Sequence, residues 1–413
     1  MKKNVDLVIT NANIVTSHGG IKKGIEMKNI DVIYNGCIGI KGEKIVFVGE
    51  YEKAKKEIDV SAKKIYAKNK IVLPGFVDPH THLLFAGSRE NELKLKIEGK
   101  KYSELLSMGY GIYSTVRATR KAKNSELKNN AKMILKRMLE HGTTTVEIKS
   151  GYGLNYEDEL RCLRIIKQLG KETVMDIVPT FLGAHAVPRE VGRKEYIQIV
   201  KNLIKRISKQ KLANYCDVFC EKDVFSIEES REILLEAKRN KLGIKIHADE
   251  LSDFGSALLA CELGALSADH LLKTNKNSLK ELAKKNVIGV LLPATSLVLG
   301  ENYANARKMI ELNMAIALGS DLCPNCWVES MQLIIALACY QMKLLPEEAI
   351  NAATINAAGA IGMEKKLGSI EVGKQADIIV LNLENYLQIP YIFGTNHVKM
   401  VIKKGSVVWQ HQT

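Results

Sequence analysis

The spacing of hydrophobic and polar residues changes twice along this chain and divides it into three stretches. The first 70 residues are strand-like: Leu7 to Val15 is rich in β-branched residues, and 38–49 reads as a hairpin around Gly42. The end of the chain returns to that style at 368–373, 377–381 and 398–402. Between these ends, short apolar runs precede amphipathic helical stretches eight times. The spacing predicts strands at 75–82, 143–149, 176–181, 217–221, 243–247, 267–270, 287–292 and 315–320. Repeated strand–helix units require parallel pairing with helical crossovers, and eight of them in ~250 residues match a (β/α)8, TIM-like barrel. The fold class is therefore α/β. Residues 1–70 and 363–413 are expected to form one small β-sandwich domain from both termini, around a barrel at 71–362.

Local punctuation agrees with this division. Ser226-Ile-Glu-Glu229 has the form of a capping box, Pro346 suits a first helical position, and Gly359 suits a stop after an Ala-rich helix. A doubly wound sheet would want a Gly-rich phosphate turn after its first strand, and the sequence has none there.

Composition narrows the function. Lys and Arg exceed Asp and Glu by 60 to 46, giving +14, but the lysines come as scattered pairs and aromatic residues are only 6%. That pattern excludes a concentrated nucleic-acid face and leaves a solvated surface whose field suits a small anionic substrate. The eight cysteines form no dense framework, as expected of reduced thiols in a cytoplasmic protein. The basic start Met1-Lys-Lys is followed by Asp6, Asn11 and Asn13, which interrupt any signal-peptide core. The longest charge-free stretches, 286–300 and 349–363, are 15 residues each, short of the ~20 that a membrane helix needs.

Chemistry collects at the predicted strand ends, where barrels of this kind carry their active residues. The first ends in Asp78-Pro-His80-Thr-His82, whose two histidines project to one side of an extended strand. The fifth ends in His247, the sixth in Asp269-His270 and the eighth in Ser320-Asp321. Three imidazoles and a carboxylate are a ligand set for zinc, iron or nickel. A divalent ion would make hydroxide available near neutral pH. Glu250, three residues beyond His247, is placed to move the proton from water to a leaving nitrogen.

Leu73-Pro-Gly-Phe-Val-Asp-Pro-His-Thr-His82 resembles the metal signature of the amidohydrolase superfamily. Four segments narrow the likeness: those from His82 to Glu92, Ser114 to Arg120, Val146 to Gly153 and Thr180 to Pro188. Together with His247-Ala-Asp-Glu250, they resemble the imidazolonepropionase family. The resemblance runs from about Leu73 to Gly373. It implies hydrolytic opening of 4-imidazolone-5-propanoate to N-formimino-L-glutamate in histidine degradation. It also implies one zinc or iron ion on His80, His82, His247 and Asp321, with catalysis by Glu250, His270 and Asp321 and substrate contacts from Arg89, Tyr102, Tyr152, His185 and Glu250. A homodimer is expected, with no nucleic-acid or membrane partner. The chemistry of these residues makes independent sense. Arg89 offers a planar fork to the propanoate, Tyr102 and Tyr152 combine a ring with a hydroxyl, and His185 can serve a developing oxyanion.

After the metal Asp, the familiar bacterial pattern continues x-Asn-Pro-Gly-Ser or -Thr. Here it reads Asp321-Leu-Cys-Pro-Asn-Cys326, so Cys323, Asn325 and Cys326 are the positions where recognition of the ligand's polar end departs from the pattern. Three rival functions share the fold. A guanine- or cytosine-type deaminase would use the same metal set and would release ammonia. A hydantoinase-like binuclear enzyme would want a carboxylated lysine at the fourth strand end, where this chain has Glu221. A catalytically inactive binding protein would have no use for the full set of ligands together with Glu250.

Overall fold

The computed structural model describes residues 2–100, 104 and 108–411. The strands in chain order are β1 (Leu7–Val15), β2 (Val32–Lys41), β3 (Lys44–Glu50), β4 (Lys63–Tyr66), β5 (Ile71–Pro74), β6 (Phe76–Asp78), β7 (Thr143–Lys149) and β8 (Asp176–Ala184). They continue with β9 (Tyr215–Cys220), β10 (Gly243–Ala248), β11 (Ser267–His270), β12 (Ile288–Leu291), β13 (Ile316–Leu318), β14 (Ile378–Leu381), β15 (Val398–Lys403) and β16 (Ser406–Gln410).

Two sheets result. Both chain ends build the first, in the order β16-β15-β14-β5-β1-β2-β3, with β4 also pairing β1. It curls so that Ile9, Ile38 and Ile40 share one apolar core with Val72, Ile378 and Ile402. The second runs β6 to β13 in sequence order, all parallel, with helices between successive strands. A bridge from Thr81 to Leu322 joins its two edges. Its strands are buried on both faces, as parallel strands under helical crossovers must be.

Most of the expected strands lie where the pattern put them, and the exceptions have physical causes. The first barrel strand is three residues long rather than eight, because Pro79 has no N–H for the ladder. His80 and His82 thus sit beyond the strand, held by the Thr81 bridge and by the His82 N–H, which donates to Leu322 O at 2.8 Å. The segment 368–373 is not a strand; it forms turns, and β16 lies in a stretch not expected to be one. Gly359 does not stop its helix. It lies inside Ile355–Ala360, where a Cβ would meet Ile21 at 2.8 Å, and the left-handed turn belongs to Gly362 at φ 68°. The Ser226 capping box and the Pro346 start are both present. Among the described residues, no helix is long and apolar enough to cross a membrane.

Candidate metal centre and active site

The barrel strands bring the predicted ligands to one point. His80, His82 and His247 are buried, and their ligating nitrogens lie within 4.8 Å of one another. His82 Nε2 is 3.3 Å from His80 Nε2 and 3.4 Å from His247 Nε2. Asp321 Oδ1 lies 3.5 Å from His80 Nε2 and 3.4 Å from His82 Nε2. Asp321 adopts φ 52° just past β13, a left-handed conformation that Asp tolerates better than most residues. Thr295 Oγ1 donates to Asp321 Oδ2 at 2.5 Å and leaves Oδ1 turned to the histidines.

The protonation of this group suits a cation. Burial pushes the His80 and His247 pKa values well below the ordinary histidine value, with the Lys149 charge adding to it; burial likewise takes His82 down to about 3. Neutral imidazoles whose Nε2 atoms converge can turn their lone pairs toward one positive ion. His80 Nδ1 faces Asp269 Oδ2 at 2.6 Å, which puts the ring proton on Nδ1 and the lone pair on Nε2. His247 Nδ1 is 2.9 Å from Asp217 Oδ2, although off the line of a hydrogen bond. The residues present therefore fit a borderline divalent metal.

Glu250 and His270 adjoin this group. His270 Nε2 lies 3.6 Å from Glu250 Oε2, and the His270 ring is 5.2 Å from His247 and 5.4 Å from His80. Burial holds the Glu250 carboxyl well above the ordinary range, and the Asp321 charge adds to it. The loop carrying Glu250 is pinned on both sides. Asp249, at φ 48°, accepts from Ser256 N and Oγ and from Thr274 Oγ1. Glu221 accepts from Leu251 N at 2.8 Å, from Ser252 N and from the Ser252 hydroxyl.

An aromatic wall closes one side. His185 stacks on His82 at 4.8 Å and 17°, and Tyr152 lies 5.4 Å from His185 and 6.1 Å from His82. Gly151, at φ 117°, makes room for them, since a Cβ there would meet His185 Nδ1 at 2.9 Å. Burial lowers His185 to about 3, so it too is neutral. Arg89 is buried, and its Nε and Nη2 donate to Glu92 at 2.8 and 2.7 Å. Its charge reaches the Cys323 loop, where Lys96 donates to Asn325 Oδ1. Cys323 and Cys326 exchange two backbone hydrogen bonds, and burial pushes the Cys323 thiol up to about 12. Tyr102 lies outside the described residues.

Sequence reading missed what stands behind these groups. Asp78 accepts from Ser320 N and Oγ and so ties the end of β6 to the residue before Asp321. Phe219 packs 5.7 Å from His247. Below them lies a charged layer formed by Glu147, Lys149, Asp217, Lys245 and Asp269, all fully buried. Its one visible signal was position: Lys149 and Lys245 stand in apolar strands at the register of inward-facing residues.

Comparison with known proteins places these features in context. The Amidohydrolase family pattern matches residues 71–408. A protein named imidazolonepropionase from Alkaliphilus oremlandii is 46% identical over 412 residues, covering 98% of this chain and 97% of that protein. Another of that name from Clostridium tetani is 45% identical over 417 residues, covering 99% of each. Among solved structures, an adenosine deaminase from Xanthomonas campestris with bound zinc superposes with a TM-score of 0.77 at 18% identity, covering 98% of this chain and 93% of that one. The E. coli guanine deaminase gives 0.77 at 16%, covering 98% and 100%. At those identities the two deaminases share the fold.

Proposed function

The chain belongs to the amidohydrolase family and, within it, to the imidazolonepropionases; from that premise we propose that it opens the ring of 4-imidazolone-5-propanoate by hydrolysis, giving N-formimino-L-glutamate in histidine degradation. The observation that carries the reading is the convergence of neutral His80, His82 and His247 with Asp321 beside the carboxyl of Glu250.

In our reading His80, His82, His247 and Asp321 hold one ion, zinc or iron. Such an ion, when bound, supplies Lewis acidity and lowers the pKa of water toward neutrality. The chain's own groups manage the rest. The water oxygen adds to the ring carbonyl carbon, and Glu250 takes the water proton. The carbonyl carbon–nitrogen bond then breaks, and Glu250 returns the proton to the leaving nitrogen. A carboxyl raised by burial gives up a proton reluctantly, and a cation among its neighbours opposes that shift, so one group serves both directions. His270, within reach of Glu250, steadies the proton during transfer. His185 and Tyr152 flank the heterocycle, and Arg89, oriented by Glu92, faces the propanoate with Lys96 adding positive field. Tyr102 is assigned to the substrate by resemblance. Cys323 and Cys326 shape the polar end of the pocket through their backbone rather than their thiols, and Asn325 does so through its amide oxygen, which accepts from Lys96.

The division into a barrel at 71–362 and a β domain from 1–70 with 363–413 belongs to the same reading, although Ile71–Pro74 pairs within the small sheet. A cytoplasmic location accords with eight cysteines, none paired among the described residues. The test is to incubate purified protein with imidazolonepropionate and follow its ultraviolet absorbance. Loss of absorbance that a chelator abolishes supports the assignment; an unchanged spectrum with metal-loaded protein refutes it.

A further inference from the structure

The interior layer beneath the centre is unusual for a barrel, which is ordinarily filled there by bulky branched residues. Here Lys149, the last residue of β7, places Nζ 2.7 Å from Asp217 Oδ2, 3.0 Å from Glu147 Oε2 and 3.5 Å from Asp269 Oδ2. The same two aspartate oxygens face the ligand rings: Asp269 Oδ2 is 2.6 Å from His80 Nδ1, and Asp217 Oδ2 is 2.9 Å from His247 Nδ1. Their other oxygens are held as well. Asp217 Oδ1 accepts from Val218 N and His247 N, and Asp269 Oδ1 accepts from Ser267 Oγ. Lys245 completes the layer by donating to Glu147 Oε2 and to Pro79 O, just ahead of His80.

From this arrangement we infer that Lys149 is a positioning residue of the metal centre, its one ammonium holding the two aspartates beside His80 and His247: Asp269 bonds the His80 ring, and Asp217 accepts from the His247 backbone N–H and sets its charge beside that ring. The inference rests on the metal-centre reading above. Buried ion pairs add little to stability when compared with apolar residues of similar size, so a five-charge layer calls for another purpose. A carboxylate behind an imidazole fixes its tautomer and raises the basicity of the ligating nitrogen, and loss of such support costs metal affinity. Two mutually repelling carboxylates keep their places only around a shared cation, and Lys149 is the cation that reaches both most closely.

The test is a competition titration of zinc and cobalt against a chromophoric chelator, with the visible spectrum of the cobalt form and the melting temperature of the metal-free protein. Lys149→Met should weaken metal binding ~10- to 100-fold and alter the cobalt spectrum. Lys149→Met/Asp217→Asn should lose no more affinity than the weaker-binding single variant, because the lysine acts through the carboxylate. A Lys149→Met protein that melts lower yet binds zinc and cobalt as wild type does, with an unchanged cobalt spectrum, would reduce Lys149 to scaffold and overturn the inference. If Lys149→Met does not fold, Lys149→Gln, which removes the charge but keeps a donor for Asp217, decides: metal binding ~10-fold weaker supports the inference and wild-type affinity ends it. Wild-type protein that binds neither ion would remove the metal-centre reading and this inference together, whereas strong wild-type binding with unchanged variants removes the inference alone.

Discussion

The loop carrying Glu250 is held on one side through Asp249 and on the other by Glu221, so in the proposed mechanism its carboxyl works from a fixed backbone. Glu250→Gln keeps the size and removes the titrating group. It should retain bound metal and substrate affinity while turnover falls at least ~100-fold, the usual scale of general acid–base loss; near-normal turnover would transfer the shuttle to His270. In the proposed reading, recognition of the propanoate divides between Arg89 and the Cys323 loop. The Cys323 thiol, pushed up to about 12, is neutral at pH 7 and a weak donor, so Cys323→Ala should alter kcat/KM less than ~2-fold. Arg89→Lys keeps a charge toward Glu92 and loses the planar fork, and should raise KM ~10-fold with kcat nearly unchanged. Steady-state kinetics of the two variants settle the division; a metal-depleted Cys323→Ala protein would make the thiol a participant.

At the scale of elements, the eight barrel strands were readable because apolar runs alternate with amphipathic stretches, and the candidate metal-binding histidines because they cluster at strand ends. The layer formed by Glu147, Lys149, Asp217, Lys245 and Asp269 was not readable in the same way. A charged residue in a strand ordinarily reads as a solvent-facing position; Asp269 was singled out only by its place at a strand end, and closure of the sheet is what gathers it with the other four inside. The final strand β16, Ser406-Val-Val-Trp-Gln410, has strand-favouring residues but is short and has no buried face, so no core alternation marked it. Asp176 shows how the two sheets are joined. It starts β8 and accepts from Gln375 Nε2 at 2.7 Å and Lys403 Nζ at 2.8 Å, both from the small sheet's side. Burial alone would raise its pKa, but Lys403 and Gln375 outweigh burial and bring it from 3.8 to about 2. A depressed carboxyl stabilises the fold above its unfolded pKa and loses that effect as pH falls through the folded one. Asp176→Asn should therefore cost ~1–2 kcal/mol near neutral pH, with the gap to wild type narrowing between about pH 4 and pH 2. Urea midpoints across that range measure it; a gap that stays constant to the acid end would place its cause outside this ion pair.

For the whole molecule, a net charge of +14 carried by lysines scattered along the sequence agrees with the proposed small anionic substrate. The catalytic account reduces to one claim: water, activated among His80, His82, His247 and Asp321, adds its oxygen to the ring carbonyl, and nitrogen leaves without being released. Product analysis after turnover in heavy-oxygen water tests this most directly. The account predicts N-formimino-L-glutamate in amount equal to the substrate consumed, one heavy oxygen in its new carboxylate, and no free ammonia. Stoichiometric ammonia, or a product carrying no heavy oxygen at that carboxylate, would contradict it.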